Sequence, residues 1–415
     1  MAKVVALKCV RCGAQYPPTS YTQDCPACRT VASSNLTVVY DAVLCRPRAR
    51  PTAPTGTGLF RYGDFLPYSQ TQAVSLGEGN SPLHRLDGVA STLGMSQLFA
   101  KDETRNPTWS FKDRLAASAV SSAKALGART IVSSSSGNAG AAAAAYSAKA
   151  GLPCVILTFK SSTGPMVTQM RVYGAKVVTL EAKADRWTLM QQAVAQYGWF
   201  PTSPFFGPAV GSNPYGVEGY KSLAYEIAEQ MNWQVPDWCV LPVCYGDALI
   251  GMWKGFAELT ALGWTDRMPR LVAAEVYGSI SHALAHGGDV LPEMDKTHDT
   301  IAVSIGATRG TFQALDAVRR SGGQAVRIAD TEMMRWQRTL AASEGLYVEP
   351  SSAGALAAIE TLRNRGVIAQ GDSTVALLTA SGLKDPASTA RALPEEMAAP
   401  LDLDGGRRLL ASQEF

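Results

Sequence analysis

The residues best suited to chemistry are a lysine, an asparagine and four cysteines. Lys112 stands in the run Asn106-Pro107-Thr108-Trp109-Ser110-Phe111-Lys112-Asp113-Arg114, where Asn-Pro reads as a turn and an Ala-rich helix follows. A cation at a helix start opposes the helix dipole. Lys112 is therefore either a solvated surface residue or a group that bonds an anionic cofactor or substrate. A desolvated amine of this kind is a nucleophile and a proton carrier. A second run, Ser133-Ser134-Ser135-Ser136-Gly137-Asn138-Ala139-Gly140, joins a predicted strand to a predicted helix. Small residues there let backbone N–H groups approach a ligand, and a helix start attracts a carboxylate. Taken alone, the run is an ordinary strand–helix turn.

Cys9-Val10-Arg11-Cys12 and Cys25-Pro26-Ala27-Cys28 are two CxxC pairs with twelve residues between them. Four thiolates on two turns complete a tetrahedral zinc shell, and so small a segment has little core of its own without metal. A shell of four cysteines leaves no open position, which makes the zinc structural. Unused thiols, a disulfide or redox use of one pair are the alternatives.

Positioning these groups falls to an alternation of short apolar runs and longer Ala-rich segments. Strands are predicted at 129–133, 153–157, 175–180, 238–243, 271–276 and 374–379, and a helix at 139–150. Short apolar runs between helices suit buried parallel strands with crossover helices, an α/β architecture. Residues 46–58, rich in Pro, Gly and Arg, read as a linker or an extended arm, or equally as a segment lying ordered across the main body.

A net charge of +3 over 415 residues gives no field for nucleic acid, and no long charge run occurs. No stretch of about 18 apolar residues is present, so no membrane span is expected. The first eight residues are too short an apolar segment for a signal peptide, and a cytoplasmic protein with reduced thiols is the expectation.

The segment around Lys112 resembles the cofactor-lysine motif of threonine synthases, in the tryptophan-synthase-β class (fold type II) of pyridoxal-phosphate (PLP) enzymes. The Ser135–Gly140 run resembles their asparagine loop. Further matches follow in order at Leu76–Leu83, Asn213–Lys221, Val348–Ala353 and Leu378–Asp385. The resemblance implies two three-layer α/β lobes with parallel-rich sheets, a cofactor cleft between them, a small zinc-ribbon-like leader and a homodimer. The corresponding division is a leader at 1–45, a linker or arm at 46–74, a large lobe at 75–95 with 205–400, a small mobile lobe at 96–204 and a tail at 401–415. It also implies roles. Lys112 would hold PLP as a Schiff base and move the substrate's Cα proton. Asn138 would bond the cofactor's 3′-oxygen. Ser135, Ser136, Gly137, Asn138 and Ala139, with Trp109 and Ser110 nearby, would face an amino-acid substrate. Thr379, rather than Ser381, would face the pyridine nitrogen.

The chain departs from that pattern at three places. The glycine-rich phosphate cradle reads Val243-Cys244-Tyr245-Gly246-Asp247-Ala248, with Gly246 alone retained and Asp247 repulsive to phosphate unless it points away. Gly216, Val210-Gly211 and Pro165 stand where the family grips the substrate's phosphate. Trp109 replaces a glycine, and should narrow the pocket or stack on an apolar substrate. These departures predict elimination or replacement at a β- or γ-carbon with an altered, non-phosphorylated substrate. A genuine threonine synthase and an inactive binding homologue are the alternatives.

Overall fold

Strands β1 (Val4–Cys9), β2 (Gln15–Tyr16) and β3 (Leu36–Tyr40) form an antiparallel leader sheet in the order β2-β1-β3. Then β4 (Leu83–Arg85) and β5 (Leu98–Asp102) enter a large sheet, which the chain leaves to build β6 (Ile131–Ser133), β7 (Cys154–Phe159), β8 (Lys176–Leu180) and β9 (Phe200–Pro201). It returns through β10 (Trp238–Pro242), β11 (Arg270–Glu275), β12 (Gln324–Arg327) and β13 (Thr374–Leu378). The six-stranded sheet runs β12-β11-β10-β13-β5-β4 and the four-stranded one β8-β7-β6-β9. This is a computed structural model, and it describes residues 3–18, 24–41, 47, 49–50, 57–159, 164–393 and 402–412. The first and last residues of the expected tail, and residues 46, 48 and 51–56 of the expected arm, lie outside them.

Each predicted strand appears within two residues of its expected bounds. Every residue of β10 and of β13 is buried, as strands covered on both faces must be. Along β10, Cys239 and Leu241 enter one apolar cluster while Trp238 and Val240 enter another on the opposite face. The small sheet divides likewise, with Ile131 and Ile156 on one side and Val132 and Leu157 on the other. Helices covering both faces make each lobe three-layered. The small sheet is wholly parallel, whereas β4 runs antiparallel to β5 at the edge of the large one.

One expected boundary is corrected. β5 pairs with β13 and β4, so residues 98–102 stand in the large sheet and not in a small lobe beginning at 96. Strand pairing, which a run of local sequence does not reveal, decides this. The described part of the expected linker is built into the body: Leu59, Phe60, Leu66 and Tyr68 are buried against Val120 and Tyr146. Its apolar side chains outweigh its breakers.

The leader is likewise no separate ribbon. Leu7, Cys9, Leu36 and Val38 share a cluster with Ala119, Ala123 and Tyr215. The Asn35 side-chain amide donates to the Ser212 carbonyl and to Gln313 Oε1, both at 3.1 Å.

Candidate active site

Lys112 is the first residue of the helix Lys112–Ala125. Two backbone links fix its approach: Phe111 N–H donates to the Thr379 carbonyl (2.8 Å), and Ser381 N–H to the Trp109 carbonyl (3.0 Å). Ser110 and Ala380 form an antiparallel bridge between the same segments. The lysine run is thus stitched to the C-terminal end of β13. Its Nζ lies 4.4 Å from the centre of the Phe111 ring and 5.7 Å from that of Tyr220. Among the described residues, no acceptor lies within hydrogen-bond distance of it. Burial pushes the Lys112 pKa below the ordinary lysine range, opposed by the nearby carboxylates of Asp247 and Glu349.

Asn138 opens the helix Asn138–Ala150 at the end of the loop after β6. Its Nδ2 donates to Glu349 Oε2 at 3.1 Å, and its buried Oδ1 has no partner. The Ser110 hydroxyl is also buried and unpartnered. Glu349 accepts from Ser351 (2.6 Å) and Ser304 (3.0 Å), and its N–H donates to the Ala380 carbonyl at 3.0 Å. Through Glu349, Asn138 of the small lobe meets the same 379–381 segment that holds Lys112. Ser135, Ser136, Gly137 and Ala139 are all partly exposed around the helix start, whose first N–H groups have no intrahelical acceptor. Thr379 Oγ1 lies 2.8 Å from Ser352 Oγ. Ser381 is occupied otherwise, accepting from Leu383 N–H at 3.3 Å.

The loop Val243–Ala248 leaves β10 and enters the 15-residue helix Asp247–Ala261. Gly246 has φ 73°, and a Cβ there would lie 2.2 Å from Ala314 Cβ, so both conformation and space require glycine. Asp247 points away from the loop's mouth. Its carboxylate accepts from Ser212 N–H (2.9 Å), the Ser212 hydroxyl (2.7 Å) and Gln313 Nε2 (2.7 Å). Thr311 and Gln313 hold the Tyr245 carbonyl, and Val243 N–H donates to Ala274 at 2.8 Å. Burial pushes the Cys244 thiol up to about 11, so it stays protonated at neutral pH. Burial likewise pushes Asp113, which accepts from Thr108, up to about 7.

Trp109 has φ 65°, the left-handed region in which a bulky side chain is an outlier, and the residue is 48% exposed. It is therefore not core filler. The cysteine cluster stands apart from the cleft: Cys9, Cys12, Cys25 and Cys28 hold their sulfurs within 4.8 Å of one another.

The description "Pyridoxal-phosphate dependent enzyme" matches residues 74–380. A threonine synthase of Methanocaldococcus jannaschii is 31% identical over 412 residues, 97% of this chain and 98% of its own. The chain belongs to the threonine synthase-like family of pyridoxal-phosphate dependent enzymes. A second threonine synthase, from Methanosarcina acetivorans, is 33% identical over 410 residues, 97% of this chain and 98% of its own. Among solved structures, O-ureido-L-serine synthase superposes with TM-score 0.62 at 24% identity, covering 77% of this chain and 94% of its own. Maize serine racemase does so with TM-score 0.63 at 21% identity, covering 75% and 91%. These two likenesses carry the fold alone.

In this threonine synthase-like enzyme, sequence reading left Glu349, Ser352 and Tyr220 without roles. The Val348–Ala353 and Asn213–Lys221 matches contained the signal, but only the folded chain shows which side chains they turn toward Lys112 and Asn138. Among the described residues, no helix is long and apolar enough to cross a membrane.

Proposed function

We propose that this enzyme eliminates or replaces a substituent at the β- or γ-carbon of an amino acid other than O-phosphohomoserine. The observation that carries the altered substrate is the packing where the family grips phosphate. A Cβ on Gly216 would meet Leu115 Cγ at 3.1 Å and Ala119 Cβ at 3.2 Å, so helix packing fills the space of a longer side chain. A Cβ on Gly211 would meet Gln313 Nε2 at 2.1 Å and Asp247 Oδ1 at 2.6 Å. Neither position has room for a phosphate-binding side chain.

The residues present fit PLP. Among the described residues, the buried Asn138 Oδ1 and Ser110 Oγ lack partners, Lys112 Nζ is unpaired, and Asp247 is turned aside by Ser212 and Gln313. Lys112 would hold the cofactor, Asn138 its ring hydroxyl, the Val243–Ala248 loop with its helix start its phosphate, and Thr379 its ring nitrogen. When bound, PLP supplies the electron sink that makes the Cα proton removable. Lys112 Nζ would take and return that proton, a role that its lowered pKa favours. The loop of Ser135, Ser136, Gly137, Asn138 and Ala139 orients the α-carboxylate. Thr379 donates or accepts a neutral hydrogen bond and adds no charge. Trp109 caps the pocket, and its left-handed backbone is strain kept at a functional position.

A purified-protein screen tests this, with O-phosphohomoserine, O-phosphoserine, serine, threonine and O-acyl amino acids, products read by mass spectrometry. Unphosphorylated amino acids are expected to turn over, and Trp109→Gly is expected to widen the accepted set. Threonine formed from O-phosphohomoserine at a kcat/KM above that of every other compound would overturn the altered-substrate reading. That second reading, a genuine threonine synthase, is favoured by the curated relatives of that name.

The four cysteines fit a structural zinc. Zn–S bonds in a tetrahedron separate sulfurs by about 3.8 Å, and the Cys9–Cys28 and Cys12–Cys25 sulfurs are 3.8 and 3.6 Å apart. Zinc is expected in the purified chain by elemental analysis, lost in Cys25→Ser, with a lower melting temperature. A metal-free wild-type protein of the same stability would sink the assignment.

A further inference from the structure

Arg114 sits on Glu103 and Glu226, and Lys221 on Glu218. The buried Arg186, with the exposed Lys183 beside it, has no such partner among the described residues. Arg186 is 8% exposed, and its Nε donates to the Lys183 carbonyl at 3.0 Å. Among the described residues, no carboxylate lies within ion-pair distance of either side chain. Both cations lie at the start of the helix Asp185–Tyr197, whose dipole already presents positive charge. Burial, then the neighbouring Arg186 and Lys296, pushes the Lys183 pKa down. The arrangement opposes itself until an anion arrives.

Its place is the C-terminal edge of the small sheet. The Arg186 guanidinium lies 5.0 Å and Lys183 Nζ 5.7 Å from the ring of Phe159, the last residue of β7. The parallel neighbour β6 ends in the loop of Ser135 to Asn138, so cations and loop occupy the same C-terminal edge of the small sheet. Ligands of such sheets bind beyond that edge. Across the cleft, Cys244 is within electrostatic reach of both Lys112 and Lys183, and Tyr245 of Arg186. Successive strand ends are about 4.8 Å apart, so a side chain extending from the β6 loop across β7 comes toward Lys183.

We propose that Lys183 and Arg186 receive an anionic group at the far end of the amino-acid substrate's side chain. The proposal rests on the reading that this cleft turns over an amino acid, and it narrows the substrate class to acidic ones. The anion is a carboxylate, as in a dicarboxylic or O-succinyl amino acid.

The test uses the PLP-loaded enzyme with Lys183→Gln, Arg186→Gln and the conservative Arg186→Lys. KM is measured for O-succinyl, O-acetyl and O-phospho amino acids, alongside PLP affinity and melting temperature. Because Lys183 is exposed, its variant remains informative even where Arg186→Gln fails to fold. Expected is a 10- to 100-fold rise in KM for the anionic compounds, with neutral ones and PLP affinity unchanged, and partial recovery in Arg186→Lys. Should the dependent substrate be O-phosphohomoserine, the anion site stands and the non-phosphorylated reading fails. If neutral substrates dominate and the variants leave every KM unchanged, the anion site is overturned while the elimination or replacement activity stands. A loss of PLP affinity instead would assign the cations to the cofactor's phosphate and overturn the proposal.

Discussion

Lys112→Ala is expected to lower kcat by roughly 10²- to 10⁴-fold for the loss of proton transfer alone. Lys112→Arg should be as inactive, because a guanidinium does not deprotonate in proteins and cannot act as base. The arginine variant separates the amine's chemistry from its charge. Neither change should unfold the chain, since Lys112 makes no hydrogen bond or ion pair among the described residues. In the cofactor-free protein the alanine variant should be slightly more stable. The sign follows from the lowered pKa. Below the folded pKa the lysine is charged both folded and unfolded, so the fold carries the full penalty of desolvating it. As pH rises from the folded pKa through the ordinary lysine range, the amine becomes neutral in both states and the penalty disappears. The advantage of Lys112→Ala is therefore greatest below the folded pKa and fades as pH rises through the ordinary lysine range, which melting curves at several pH values would reveal. An alanine variant keeping more than a tenth of wild-type kcat would remove Lys112 from its role.

The largest effect on stability is expected two residues further on. Arg114 is fully buried, donating to Glu103 (2.7 and 2.8 Å), to Glu226 (2.7 and 2.8 Å), and to Ser222 at 2.7 Å. Lys101 of β5 adds a bond to Glu226 at 2.7 Å. The cluster pins the helix that begins at Lys112 to the large sheet and to the helix Lys221–Gln230. Arg114→Met leaves Glu226 with Lys101 alone as its cation and the buried Glu103 with no ion pair among the described residues, at a cost of about 3–5 kcal/mol. Arg114 and Lys101 hold Glu103 and Glu226 below the usual carboxylate range, against the opposing effect of burial. In wild type their stabilisation is present at neutral pH and lost as pH falls through those depressed values. In the variant the carboxylates take up protons more readily, so its deficit should shrink between pH 7 and pH 5. Denaturant titrations at the two pH values check this. A deficit under about 1 kcal/mol would mean that the network is relaxed by water or rearrangement.

Much of the site was legible in the chain because its chemistry is local. Lys112, the loop ending at Asn138 and the two cysteine pairs each announce themselves within a few residues. The buried strands were legible for the same reason, being short apolar runs bounded by breakers. What escaped depends on distant pairing. The place of β5 between β13 and β4, the bond from Asn138 to Glu349 and the unpaired state of Arg186 join residues tens to hundreds of positions apart. The sign of Asp247 could not be read either. As a lone acid in a phosphate loop it is repulsive, and only Ser212 and Gln313, brought in from elsewhere, turn it aside. Trp109 was legible as a departure, but its left-handed backbone was not.

The leader's attachment has a practical consequence for shortening the protein. Tyr40 donates to Glu218 at 2.6 Å, and Lys254, which donates to the Val38 carbonyl, holds the same carboxylate. Asn35 meets Gln313, which steadies both Asp247 and the Tyr245 carbonyl. A truncation that discards residues 1–41 would strip partners from Glu218 and Gln313 and uncover the apolar faces of Ala119 and Ala123. A catalytic core trimmed at the apparent arm would therefore be a damaged enzyme, sticky on one face and loosened at the Val243–Ala248 loop that Gln313 steadies.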